Sequence, residues 1–143
     1  NFIEMSRIFI NQKPDILMGL LRRDDAVNYS IVEIEDDKNI DRYNCISKIT
    51  RFVEKPKHDL NNSKLMDFGV YILEPNCLDI LPEGKSSIEF DCFEKIVSDK
   101  SKNILAYLHK GQWFPTDDFK KYQFACKNFV SRFDNAKEVG ENL

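Results

Sequence analysis

Ile16-Leu17-Met18-Gly19-Leu20-Leu21 is an apolar run with no polar residue to set on a wet face. A half-exposed strand alternates apolar and polar side chains, so this run reads as a short strand buried on both faces. Such a strand needs neighbours on each side and layers above and below it. The run therefore predicts a sheet with more strands than the early part of the chain supplies.

Working outward, Lys13-Pro14-Asp15 separates this strand from a preceding helix, in which Phe2, Met5 and Phe9 recur at helical spacing behind a cap at Asn1. After it, Asn28 to Glu35 reads as a strand, with Val32 and Ile34 alternating against Glu33 and Glu35. Asp36-Asp37-Lys38-Asn39 reads as a turn, and Ile46 to Glu54 as a third strand that stops at Lys55-Pro56. His58 to Lys64 carries the loop signature Asn61-Asn62-Ser63. Met66 to Leu73 is β-prone, and Asn76 to Leu81 is a short helix between Pro75 and Pro82.

Phe90, Phe93, Ile96 and Val97 form the stripe of a further helix behind the capping signal Ser86-Ser87-x-Glu89. Ile104 to Leu108 is a strand, and Gly111 to Asp118 a loop. Phe119, Tyr122, Cys126, Phe129, Val130 and Phe133 share one face of a final helix. Strands and helices mix without a regular βαβ repeat, and the consecutive early strands suggest hairpin-like pairing. The expected fold class is α/β with a mixed sheet, in a single domain over residues 1–143 with no internal boundary.

The 143 residues are 42% hydrophobic and 31% charged, the composition of a globular chain. A net charge of -3 with no basic run argues against a nucleic-acid partner. No apolar stretch approaches the roughly 20 residues that span a bilayer, and nothing at the start resembles a signal peptide, so no membrane partner is expected. Cys45, Cys77, Cys92 and Cys126 lie far apart, which favours free buried thiols in a cytoplasmic protein over zinc or disulfides.

Three segments can carry chemistry. Phe52-Val53-Glu54-Lys55-Pro56 places a Glu-Lys pair at a strand end, where Lys55 can meet a phosphate and Glu54 can accept from sugar hydroxyls; the alternative is a solvated corner. Met66-Asp67-Phe68-Gly69-Val70-Tyr71 puts an acid and a Gly in a β-prone run. There Gly69 marks close approach by a ligand or another backbone, or else Asp67 is simply exposed at a strand end. Gly111-Gln112-Trp113-Phe114-Pro115-Thr116-Asp117-Asp118 offers paired carboxylates for Mg²⁺ or, alternatively, a helix cap.

The order and spacing of these segments, from about Ile16 to about Phe133, resemble the sugar-phosphate nucleotidyltransferases, or nucleotide-sugar pyrophosphorylases. These enzymes join a nucleoside triphosphate to a sugar 1-phosphate and release pyrophosphate. The resemblance implies the C-terminal, sugar-phosphate-binding part of a Rossmann-like nucleotide-diphospho-sugar transferase fold, lacking its N-terminal nucleotide-binding part. It makes Glu54 a sugar contact, Lys55 a ligand of the sugar phosphate, and Asp67, Gly69, Ser30 and Trp113 further substrate-binding positions. Asp67 stands where many members have Asn, and Ser30 where the family usually has Gly.

Trp113-x-Pro115-x-Asp117 is similar to the glucose-1-phosphate cytidylyltransferase branch, which makes Asp117 the Mg²⁺ ligand, with Asp118 in reserve. The Gly-rich triphosphate loop, its Arg and Lys, and a first metal-binding Asp are not matched. The expectation is a chain that begins just after that Asp in a longer protein, with the main catalytic residues upstream of Asn1 and no turnover by itself. The apolar strand at Ile16 to Leu21 would then lack partners, so association into a homo-oligomer or poor stability is expected. The absence of a trailing β-helix repeat implies a simple transferase. The rival reading is a regulatory or assembly module that keeps the fold without catalysis.

Overall fold

The computed structural model describes residues 2–38, 40, 45–56, 64–100 and 102–129. The expected cap at Asn1, the last turn residue Asn39, the loop signature Asn61-Asn62-Ser63, Val130 and Phe133 all lie outside them. The chain divides into two compact units, Asn1–Lys110 and Gly111–Leu143.

The first unit is built around β1 (Ile16–Arg22), in which every residue from Ile16 to Leu21 is buried. β1 lies parallel to β5 (Ile104–Leu108) on one side and antiparallel to β4 (Leu65–Leu73) on the other. β3 (Ile46–Glu54) runs antiparallel to β5, and β2 (Ser30–Ile34) antiparallel to β3, giving a mixed sheet in the order β2-β3-β5-β1-β4. The expectation that Ile16 to Leu21 would be left without partners is corrected here. Its two neighbours come from far along the same chain, so this strand is not bared.

Both faces of β1 are covered, which explains why the run has no polar alternation. Ile16, Met18 and Leu20 face a core shared with α2 (Glu94–Asp99), while Leu17 faces Met5 of α1 (Phe2–Gln12). The expected face of α1 holds at Met5, which is buried, and at Phe9, which packs beside it with Ile8, but not at Phe2, which is 72% exposed. Glu4 ties the helix down, accepting from Tyr107 Oη at 2.7 Å.

β2 starts at Ser30 rather than Asn28, because Ala26–Asn28 forms a 3-10 turn. The segment expected as a short helix is likewise 3-10, Pro75–Ile80. Ahead of α2 lies one π-turn, Glu89–Phe93. Its start is capped by Ser87 and Asp91 and not by Ser86 and Glu89, the pair at box spacing in the expected signal; Glu89 instead accepts from Ser87 Oγ at 2.7 Å. Ser87 Oγ accepts from the Phe90 N–H at 3.4 Å, and Asp91 returns a bond from the Ser87 N–H at 3.0 Å. Phe93, Ile96 and Val97 enter the core as expected, but Phe90 turns outward.

In the second unit, α3 (Phe119–Asn128) buries no side chain, and Phe114 meets Phe124 edge to face at 6.1 Å. All four cysteines are free; Cys77 and Cys92 are buried as expected, Cys45 is half-buried, and Cys126 is exposed. Among the described residues no helix is long and apolar enough to cross a membrane.

Candidate functional site

The sheet curls until its outer strands meet, because successive twisted strands rotate the edges toward each other. Ser30 at the start of β2 is wholly buried and donates from Oγ to Asp67 Oδ2 of β4 at 2.6 Å. The same Oγ accepts from the Asp67 N–H at 3.0 Å. Ser30 is also the β-ladder partner of Glu54, the last residue of β3. Ser30, Glu54 and Asp67, far apart in sequence, therefore stand at one end of the curled sheet.

Gly69 joins them through a bulge in β4. Between Leu20↔Asp67 and Met18↔Tyr71, the register of β4 slips against β1. Gly69 takes φ +77, a left-handed conformation that favours glycine, and donates its N–H to Asp67 Oδ1 at 3.0 Å. The glycine that the sequence marked as a close-approach point thus has a backbone reason of its own.

Lys55 leaves β3 with φ +42, and its N–H donates to the Tyr29 carbonyl at 2.7 Å. A non-glycine residue in this region is uncommon, and the hydrogen bond helps hold it there. The result turns Glu54 and Lys55 to different environments. The Glu54 side chain is 12% exposed and the Lys55 side chain 72%, with Nζ 3.6 Å from Glu54 Oε1.

Three residues to which the sequence reading gave no part in the site also shape this corner. Tyr71 donates its hydroxyl to Asp67 Oδ1 and stacks edge to face on Phe93 at 4.7 Å. Glu94 of α2 accepts from the Glu54 backbone N–H at 2.8 Å, and Glu89 of the π-turn adds its field. Tyr71 was legible as the residue four beyond Asp67 on an alternating strand. Glu89 and Glu94 were not, because only the packing of α2 on β3 brings them near.

Burial raises the Glu54 carboxyl above its ordinary value, and the charges of Asp67 and Glu89 push the same way, against Lys55. Burial, then the Asp67 charge, likewise push the Tyr71 phenol well above its usual range, so Tyr71 acts as a donor. A carboxyl whose folded-state pKa is raised stabilises the fold below its unfolded pKa, and that contribution is lost as pH rises through the folded value. Glu54→Gln is therefore expected to raise the melting temperature at pH 7, with the gain disappearing toward pH 4. Thermal denaturation at the two pH values checks this; a Gln variant less stable at pH 7 would show the charge to be net stabilising.

Asp117, Asp118 and Trp113 belong to the second unit. Asp118 is the N-cap of α3, accepting from the Lys121 N–H at 2.9 Å, so the cap and metal readings of the acid pair fall on different residues. Asp117 remains as the candidate ligand, but its Oδ2 lies 2.7 Å from Lys121 Nζ. Mg²⁺ takes several oxygen ligands. One carboxylate shared with an ammonium does not fit such a site by itself, and no group of three or more His, Cys, Asp or Glu among the described residues could hold a metal ion. Trp113 is half-buried.

Comparison with known proteins adds family and fold. A family model described as nucleotidyl transferase matches residues 1–130. The chain is 28% identical over 120 residues to a probable mannose-1-phosphate guanylyltransferase 3 of Arabidopsis thaliana, covering 84% of this chain and 33% of that protein. It is 43% identical over 74 residues to mannose-1-phosphate guanyltransferase 2 of Candida glabrata, covering 52% and 19%. Among solved structures, UDP-glucose pyrophosphorylase complexed with UDP-glucose superposes with a TM-score of 0.69 at 22% identity, covering 87% of this chain and 47% of that one. A UTP-bound UGPase from Acinetobacter baumannii gives 0.64 at 17% identity, covering 96% and 48%. The chain thus spans about a third of the first of these relatives and about half of the solved chains.

Proposed function

Since this chain belongs to the nucleotidyl transferase family, we propose that it forms the sugar-phosphate side of an enzyme that joins a nucleoside triphosphate to a sugar 1-phosphate and releases pyrophosphate. One observation supports this most: the curled sheet gathers Ser30, Glu54, Lys55, Asp67 and Gly69 at one end. In this arrangement a half-sheltered carboxylate stands beside an outward ammonium. Glu54 accepts hydrogen bonds from sugar hydroxyls, and Lys55 meets the phosphate at the rim as a point charge.

The chain alone is inactive on this reading, because in-line transfer must hold two anions together and neutralise both. Among the described residues no run of glycines presents backbone N–H groups to a triphosphate. A reducing, cytoplasmic setting suits the four free thiols.

The test uses the full-length protein that contains this chain, supplied with Mg²⁺, sugar 1-phosphates and nucleoside triphosphates while pyrophosphate release is followed. Mannose 1-phosphate with GTP comes first, because the curated relatives carry that name. Glucose 1-phosphate with CTP comes second, from the Trp113-x-Pro115-x-Asp117 spacing. Release with one pair establishes the transferase and its substrates. No release with any pair, from a folded protein, overturns it in favour of a non-catalytic module.

A further inference from the structure

Ser30, Asp67 and Tyr71 make a closed set of bonds that the reading above leaves unused. Asp67 Oδ2 accepts from Ser30 Oγ at 2.6 Å, while Oδ1 accepts from the Gly69 N–H at 3.0 Å and from the Tyr71 hydroxyl. Three of the roughly four acceptor positions of a carboxylate are thus taken by the protein itself. The fourth bond of the set does not involve the carboxylate: the Asp67 N–H donates back to Ser30 Oγ at 3.0 Å. These bonds tie β2 to β4, the two outer strands of an open sheet that share no ladder. They also fix the Gly69 bulge, and they lie one strand from Glu54, the ladder partner of Ser30.

We propose that Asp67 is a positioning residue: with Ser30 and Tyr71 it forms a clasp that closes β2 against β4, leaving Glu54 as the carboxylate that receives the sugar hydroxyls. The proposal rests on the sugar-phosphate reading of this site. It departs from that reading in taking Asp67 out of the contact set and placing it with Tyr71 in the clasp. The two positions at which the sequence departs from the usual Gly and Asn of the resembling family, Ser30 and Asp67, are the two that bond to each other. The Ser30 hydroxyl is turned into the clasp, where the residue is wholly buried.

A positioning role and a ligand role differ in how they respond to loss of charge. Asn keeps an acceptor for Gly69 and Tyr71 and can donate to Ser30, so it preserves the shape of the clasp; Ala removes it. Glu54 is faced by Asp67 from β4, Glu89 from the π-turn, Glu94 from α2, and its neighbour Lys55. Removing the Asp67 charge takes away one of the influences that raise the Glu54 carboxyl, so the acid limb of activity should move to lower pH.

The experiment compares Asp67→Ala and Asp67→Asn in the full-length protein, with kcat and KM for the sugar phosphate measured across pH. Expected are a loss of about tenfold or more in kcat/KM for Ala, recovery of most of it by Asn, and an acid limb displaced downward in the Asn variant. An Asn variant with a KM as poor as that of Ala, at an unchanged melting temperature, overturns the proposal and makes Asp67 a direct ligand through its charge. A stability cycle keeps the clasp testable should no substrate pair turn over. Ser30→Ala, Asp67→Ala and the double variant are expected to show coupling of about threefold or more in the unfolding equilibrium constant. Additive effects overturn the clasp whatever the activity assay shows.

Discussion

Phe93→Ala is expected to lower the unfolding free energy by about 3–5 kcal/mol, the range for truncating a buried aromatic. Phe93 is wholly buried at the end of the π-turn, where its ring meets Phe52 at 5.8 Å and Tyr71 at 4.7 Å, both edge to face. Truncation therefore removes two ring contacts as well as buried area, and it opens a cavity whose walls are held by β3 and β4. The loss reaches the site, because Tyr71 would be left with a hydrogen bond to Asp67 but without the ring that sets its angle. Urea unfolding should show a lower midpoint with an unchanged slope. Phe90→Ala, three residues earlier but 47% exposed, provides the contrast and should change stability by about 0.5 kcal/mol or less. Equal effects at the two positions would mean that the π-turn is not seated as described.

Lys55→Ala is expected to raise KM for the sugar phosphate by roughly 10- to 100-fold, with a smaller change in kcat. A hydrogen bond to a charged group is worth about 1.5–3 kcal/mol, and the whole of it is exerted on a phosphate already present in the ground state. The Lys55 side chain is exposed, so its 3.6 Å pair with Glu54 is screened; removal takes from Glu54 the cation that offsets Asp67 and Glu89, and stability should fall by about 1 kcal/mol or less. Lys55→Gly separates the side chain from the backbone. Glycine suits φ +42 and keeps the N–H to Tyr29, so this variant should be at least as stable as Ala and equally poor in KM. Steady-state kinetics on the full-length protein decide the matter; a KM unchanged in both variants would take Lys55 out of phosphate binding.

Local chemistry explains how much of this was legible. Prolines, apolar periodicity and charge at turns act over a few residues, so the sequence located β1, β3, β5 and the strand about Asp67 closely. The Glu54-Lys55-Pro56 corner could be named a candidate because a strand end followed by proline is a local event. The capping of the helix was half legible: Ser87 was in the expected signal, but the carboxylate that accepts from its N–H belongs to Asp91, one α-turn on, where the Asp91 N–H also meets the Ser87 carbonyl. The apolar stripe of α1 was right at Met5 and Phe9 but failed at Phe2 for a different reason. Periodicity gives the face of a helix, whereas which end of that face is covered depends on what packs over it.

What the sequence determined alone is therefore the local inventory: a strand at Ile16 to Leu21 with no wet face, the corner at Glu54 and Lys55, and the acid pair ahead of α3. Tertiary structure alone decided the rest. It supplied the neighbours of β1 from β4 and β5, and it gave Gly19 its reason, since a Cβ there would lie 2.4 Å from the Phe68 ring. It set Ser30 against Asp67 across the curl of the sheet and brought Glu94 under the backbone of Glu54. Each of these is a contact between residues 37 to 88 positions apart. Such contacts follow from sheet twist and the burial of both faces, which are properties of the assembled layers and not of any short stretch.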